Sequence, residues 1–348
     1  MNPSLRTLLG ARRRYLIGLD VGAVRVKAVE LTDGADGRPS VSAFASVPLP
    51  AGGQTEALEA VRKAATFHTR RVASAVSGRA VTVRYITMSN VKESELKQAL
   101  PLEADKYIPY DVEEVYLDGQ RLEGAEGGES KVLLVGAKKT LVQDVATRLE
   151  AGGFLPVVID VDAFALGNAF ALAREHLLVP EGGRPEVCAL VDVGATKTNI
   201  NILEGVTSRF TREVYVAGQD VTASIVKTLS MSPEDAERWK CDPKDRLAEA
   251  AAGVQGVAED LGNEIKLSFD YFESQFEREV QRVWVSGGGL RYPGLLESME
   301  KLFGKPTQFW DPTEGLGVEP GVDVAALRAE AGSLAIAIGL AARIADAP

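Results

Sequence analysis

The chain reads as an α/β protein made of two related halves. Three observations predict this: strands alternate with helices along the sequence, one strand-turn-strand unit occurs twice, and a Gly- and Pro-rich break, Pro180 to Pro185, separates the two copies. At 348 residues the chain is long enough for two domains or one large pseudo-symmetric body.

In order, Tyr15 to Asp20 and Arg25 to Leu31 read as a β-hairpin, with Val41 to Val47 as a third strand. Gln54 to Arg70 carries Leu58, Val61, Ala64 and Ala65 at helical spacing. Val81 to Thr87 returns to strand, and Lys92 to Tyr107 is helical with a break expected at Pro101. Val112 to Leu122 and Lys131 to Ala137 are strands flanking the loop Glu123 to Glu129. The helix Lys138 to Glu150 stops at Gly152 and Gly153, followed by the strand Leu155 to Asp160 and the apolar helix Ala163 to Leu178. Beyond the break come strands at Val187 to Asp192, Thr198 to Leu203 and Thr207 to Val216. Helices follow at Gln219 to Leu229, Pro233 to Trp239 and across Pro243 to Glu279. Arg282 to Ser286 is a strand feeding Gly287 to Gly289, Leu290 to Phe303 is mostly helical, and Val324 to Ile344 is a closing helix. The expected organisation is a basic arm at 1–14, a first half at 15–180 and a second half at 181–348.

Composition excludes several classes. A net charge of −10 argues against a nucleic-acid binder, whose domain normally carries a basic face. Two cysteines, Cys188 and Cys241, exclude a disulfide framework, and two distant histidines leave no zinc pattern. The most apolar stretch, Leu334 to Ala345, is too short to span a bilayer and contains Arg343. The arginine cluster Arg12 to Arg14 follows too short an apolar run for a signal peptide. The expectation is a cytoplasmic protein without a transmembrane segment, whose basic arm could touch anionic lipid or simply be solvated.

The repeat carries the chemistry. Asp20-Val21-Gly22-Ala23 recurs as Asp192-Val193-Gly194-Ala195, an offset of 172 residues (192 minus 20), followed by Arg25 or Lys197 and by a second strand ending at Leu31 or Leu203. The glycines permit tight turns whose N–H groups can approach an anion, and each aspartate ends a buried strand. A carboxylate beside phosphate needs a bridging cation, for which Mg²⁺ held through water is the usual solution. Two such turns facing each other would clamp a polyphosphate, whereas either alone is only an ordinary β-turn. Ser286-Gly287-Gly288-Gly289-Leu290 is a strand-to-helix glycine loop suited to a base or phosphate. Glu237 and Lys240, at i and i+3, could pair with each other or grip a ribose.

Two phosphate hairpins, an acidic connector and a glycine loop in this order resemble the actin, sugar-kinase and Hsp70 ATPase superfamily, and within it the PilM family of type IV pilus assembly proteins, related to FtsA. The resemblance runs from about Tyr15 to Ile344. It rests on Gly18 to Gly22 with Val26 to Leu31, Glu103 to Tyr110, Ile159 to Leu166, Gly218 to Thr222, Ala236-Glu237 with Lys240, the glycine loop and Ala337 to Ala341. It implies a duplicated actin-like, ribonuclease-H-like fold with a small inserted 1C-type subdomain at about 88–155. It also implies an ATP-binding, Mg-dependent protein at the inner membrane that binds the N-terminal tail of a PilN-type membrane protein, beside other pilus or secretion components and with self-association open. By position, Asp20, Gly22, Ala23 and Lys27 fall in the first phosphate hairpin, and Asp192, Gly194, Ala195 and Thr196 in the second. Asp20 and Asp192 are the expected Mg ligands, through water. Asp162 matches the acidic residue that orients water, Glu237 and Lys240 the ribose contacts, and Gly287, Gly288 and Leu290 the adenosine contacts. The cluster Tyr107, Ile108, Pro109 and Tyr110 leads into 1C and is the expected partner-binding anchor, or else packs 1C onto the body.

The sequence also departs from that pattern. Ala23, Val24 and Arg25 stand where serines or threonines are usual, removing hydroxyl donors to the terminal phosphate, and Asp162-Ala163 replaces the commoner Glu-Pro. Hydrolysis is therefore expected to be slow at best. No FtsA-like C-terminal membrane helix is expected. A small-molecule kinase of the same superfamily, and a nucleotide-free adaptor like the GspL cytoplasmic domains, are the alternative readings.

Overall fold

The computed structural model describes residues 13–34, 38–89, 91–124, 129–174, 184–243, 246–289, 292–345 and 347. Residues 1–12 of the basic arm and 180–183 of the central break lie outside the described residues.

The first hairpin forms as its sequence requires. β1 (Tyr15–Val21) and β2 (Arg25–Asp33) pair antiparallel, and β3 (Pro39–Pro48) extends the meander. The helix predicted to reach Arg70 stops early. α1 (Gln54–Ala64) buries Ala57, Leu58 and Val61, and the chain then enters β4 (Arg71–Val76), a strand that the sequence pattern does not predict. β4 lies between β1 and β8 (Leu155–Val161), parallel to both, where Ala73 and Ser74 are small enough to pack in the middle of the molecule. The six-stranded sheet has the order β14-β3-β2-β1-β4-β8, where β14 is the short strand Gly317–Val318.

Between β4 and β8 the chain builds a smaller antiparallel sheet, β5 (Val81–Ser89), β7 (Glu129–Lys138) and β6 (Val115–Gly124), in the order β5-β7-β6. Its core is its own: Ile86, Met88, Val132 and Leu134 pack on Leu96 and Leu100 of α2 (Glu93–Ala104). Pro101 sits inside α2 without ending it. α3 (Lys139–Ala151) leads back to the first sheet, and α4 (Asp162–Arg174) follows β8.

The second half repeats the plan. β9 (Val187–Val193) is buried at every position, as a strand covered on both faces must be, and pairs with β10 (Thr198–Glu204). β11 (Thr207–Val214), β12 (Arg282–Ser286) and β13 (Thr307–Phe309) complete a five-stranded sheet in the order β11-β10-β9-β12-β13. α5 (Gly218–Leu229), α6 (Pro233–Cys241), the long α7 (Leu247–Phe276) and α8 (Leu295–Phe303) cover it.

The C-terminal run, read from the sequence as the close of the second half, returns to the first. β14 (Gly317–Val318) pairs with β3, and α10 (Ala335–Ala341) is buried along its whole length against β1 and α4. The predicted closing helix is not continuous: α9 (Val324–Glu330) and its short extension meet the α10 segment at a bend of 101°. Among the described residues no single helix is long and apolar enough to cross a membrane.

Candidate functional site

Both turns are built identically. Asp20 faces Lys27 across the first hairpin, and the Gly22 N–H donates to the Arg25 carbonyl at 3.0 Å. Asp192 faces Asn199 across the second, and the Gly194 N–H donates to the Lys197 carbonyl at 2.9 Å. A Cβ on Gly22 or Gly194 would lie 3.0 or 2.9 Å from that same carbonyl, so each turn excludes a side chain there.

The glycine loop packs backbone-to-backbone on the second turn. Gly287 has φ +97°, and a Cβ there would stand 2.2 Å from the Val193 carbonyl oxygen. The Gly289 N–H donates to that carbonyl at 2.8 Å, and the Gly218 N–H to the Gly194 carbonyl at 3.0 Å. A Cβ on Gly288 would meet no atom within 4 Å, which leaves its backbone open to the cleft. Leu290 lies outside the described residues.

These pieces line one cleft of about 1410 Å³ between the halves. It contains Asp20, Gly22, Ala23 and Lys27 from one side, Asp192, Gly194, Ala195 and Thr196 from the other, and Asp162, Glu237, Lys240 and Gly288 around them. Gly287 lies behind this lining, where it shapes the loop.

The charges are arranged unequally. Lys27 Nζ reaches Asp20 Oδ2 at 2.6 Å and donates to the Ser333 carbonyl at 3.1 Å. Burial opposes its charge, but Asp20 and, further off, Asp192 and Asp162 more than compensate and hold its pKa above the usual lysine value. Asp192 accepts from Ser286 Oγ at 2.8 Å. Burial pushes its carboxyl up to about 6, against the pull of Lys27 and Ser286 and with repulsion from Asp20 and Asp162. Asp162, at the start of α4, is held by Lys197 Nζ at 2.6 Å, which also reaches Glu213 Oε1 at 3.1 Å and the Ser77 hydroxyl. Burial raises the Asp162 pKa despite that lysine.

Glu237 and Lys240 pair with each other at 2.7 Å. The lysine is buried, and donates also to Thr222 Oγ1 at 3.0 Å and the Gly218 carbonyl at 3.1 Å. Thus α6 is tied to α5, while Glu237 stays half exposed on the cleft.

The residues fit a phosphate ligand with a hydrated cation. Among the described residues no three His, Cys, Asp or Glu side chains converge as a metal cage, so a cation would keep most of its water. Asn199 Oδ1 is buried at the cleft without a hydrogen-bond partner among the described residues, an acceptor left over by the protein's own network. Asn199, Glu213 and Ser77 are site residues that sequence patterns did not single out. The 172-residue offset maps Arg25 on Lys197 and Lys27 on Asn199, and it was the signal available for both second-half positions.

The partner cluster is divided. Ile108 is buried in the core of the small sheet, and Tyr110 donates its hydroxyl to the Arg79 carbonyl at 2.8 Å with Lys138 over its ring. Tyr107 and Pro109 are exposed. A second groove, of about 1210 Å³, runs between the small sheet and the main body. It is lined by Leu117, Leu133 and Val135 on one side, Ile159 and Phe164 on the other, with Asp118, Asp160 and Arg343 among them. Strands β6 and β8, both at the edges of their sheets among the described residues, border it.

Two sheets of matching topology, each presenting an Asp-Val-Gly-Ala turn to a shared cleft, define an actin-like ATPase fold. In keeping with this, the chain superposes on the ethanolamine utilization protein EutJ of Carboxydothermus hydrogenoformans with a TM-score of 0.56, at 14% identity over 94% of this chain and 89% of that one. Residues 18–345 match the family described as type IV pilus assembly protein PilM, and the chain belongs to that family. A solved structure of a PilM-PilN type IV pilus biogenesis complex matches with a TM-score of 0.82, at 26% identity, covering 94% of this chain and 98% of that one.

Proposed function

We propose that this pilus assembly protein binds Mg-ATP in the cleft between its halves and docks the N-terminal tail of a PilN-type membrane protein in the groove beside the small sheet. The observation that carries the first part is the pair of facing turns. Each brings a tight glycine turn to the cleft beside a carboxylate, and Gly288 leaves room for a base or phosphate. Asp20 and Asp192 would hold the water shell of Mg²⁺, which would supply neutralising charge to the phosphates. Glu237 reaches the cleft edge, where a ribose would lie.

Turnover should be slow. Asp162 is ion-paired with Lys197, and Ala23 and Val24 offer no hydroxyl to a terminal phosphate. The protein then acts as a nucleotide-responsive scaffold rather than a kinase.

The partner reading is supported by the relative solved as a PilM-PilN complex and by the groove itself. An extended peptide between two free strand edges gains main-chain hydrogen bonds, and the apolar walls accept alternate side chains. Membrane attachment follows through that partner.

The test is thermal unfolding of nucleotide-free protein with and without Mg-ATP. Ligand at 100 times its Kd should add about 2.7 kcal/mol of stability. Asp192→Asn should remove the Mg-dependent part; no shift in the parent protein would refute nucleotide binding. For the groove, Phe164→Glu should abolish binding of a fluorescent PilN-type N-terminal peptide while leaving the Mg-ATP shift intact.

A further inference from the structure

The duplicated hairpins are alike in backbone and unlike in charge, and the difference locates the cation. Directly opposed residues on antiparallel strands share one face. In the first hairpin that pair is Asp20 and Lys27, already an ion pair at 2.6 Å. In the second it is Asp192 and Asn199. Asparagine cannot neutralise a carboxylate. Its Oδ1, in a side chain only 2% exposed, meets no donor among the described residues, and the residue lines the cleft. Asp192 already accepts from Ser286, but the amide oxygen beside it has no donor among the described residues, a costly arrangement unless a bound ligand brings one.

We propose that Asn199 is a cation-positioning residue: with Asp192 it accepts hydrogen bonds from the water shell of the divalent ion that accompanies the nucleotide, so that the ion is drawn toward the second hairpin. The reading rests on nucleotide binding in this cleft. Lys27 takes the corresponding place in the first hairpin as a built-in cation, paired with Asp20 and lining the cleft from the other side. A hydrated ion needs acceptors fixed in direction and tolerates a neutral one, which an amide oxygen provides. The first hairpin therefore balances its own carboxylate, and the second takes the matching positive charge from the ligand's ion.

The prediction is specific to the metal. In the full chain, Asn199→Ala should weaken the dependence of ATP binding on Mg²⁺ by about tenfold, the contribution of one charge-assisted hydrogen bond. ATP binding in EDTA should be unchanged. Asn199→Asp, adding a carboxylate, should lower the Mg²⁺ concentration needed. Asn199→Lys, which recreates the first hairpin, should make ATP binding independent of Mg²⁺. The readout is affinity for a fluorescent ATP analogue across a Mg²⁺ titration, with near-native circular dichroism required of each variant. If Asn199→Ala does not fold, Asn199→Asp and Asn199→Lys still give opposite predictions. Parental Mg²⁺ dependence in all folded variants overturns the assignment of Asn199 alone. Absence of Mg-ATP binding in the parent protein overturns the reading on which it rests.

Discussion

Lys197 shows how one side chain can hold a site together. It pairs with Asp162 and Glu213 at once and crosses from the second half to Ser77 of the first. Replacing it by methionine would leave two partly buried carboxylates facing each other, a loss of about 3–5 kcal/mol at neutral pH. The pH dependence has a definite sign. Burial already raises the Asp162 pKa, and without Lys197 it would rise further. A carboxyl with a folded-state pKa above its unfolded value favours folding when protonated. The deficit of Lys197→Met should therefore shrink as pH falls through the folded-state value and grow as pH rises, measurable by denaturant unfolding at several pH values. Glycines make a second residue-scale contrast. Gly287→Ala places a Cβ 2.2 Å from the Val193 carbonyl oxygen at φ +97°, and should cost at least ~2 kcal/mol. Gly288→Ala meets nothing within 4 Å and should leave the Tm of the free protein unchanged, so equal losses for both would contradict the loop geometry.

At the scale of elements, α10 explains why small residues recur near the C-terminus. A Cβ on Gly339 would lie 1.6 Å from the Ala165 carbonyl oxygen of α4, and one on Gly18 would lie 1.8 Å from the Ala337 carbonyl oxygen. Helix and strand thus touch through their backbones. Gly339→Val should drive α10 off β1 and α4 and cost about 3 kcal/mol or more, seen as a large fall in Tm, because backbone cannot move aside as a side chain can. β4 was hidden from periodicity for a related reason. In Arg-Val-Ala-Ser-Ala-Val only Val72 and Val76 are β-branched, and the small residues Ala73, Ser74 and Ala75 between them let α10 pack closely on the sheet. The closing run was legible as helical, but its 101° bend was not: an apolar stretch reads the same whether it continues straight or turns to fill a core.

The whole molecule is two halves joined by a shared cleft and by a C-terminal run that belongs to both. A ligand touching both turns should stabilise them as one unit, so Mg-ATP should raise the unfolding temperature of the halves together and merge any separate transitions in calorimetry. Hydrolysis by the purified protein should fall well below the ~10 s⁻¹ typical of enzymes. Turnover near that rate, lost in Asp162→Ala, would restore a kinase-like role.

The sequence by itself determined what local chemistry controls. Duplicated turns, the glycine loop and the Glu237–Lys240 pair were readable because a tight turn needs glycine and a helix places i and i+3 side by side. Membership of the PilM family followed from the order of those signatures. Tertiary structure alone decided which charges are spent and which are left for a ligand. Lys27 pairs with Asp20, Lys197 pairs with Asp162, Ile108 is consumed by the small sheet's core, and Asn199 Oδ1 is left unmatched among the described residues. Pairing across 120 residues, as between Lys197 and Ser77, leaves no periodicity in a chain, because it depends on where strands from different halves meet in space.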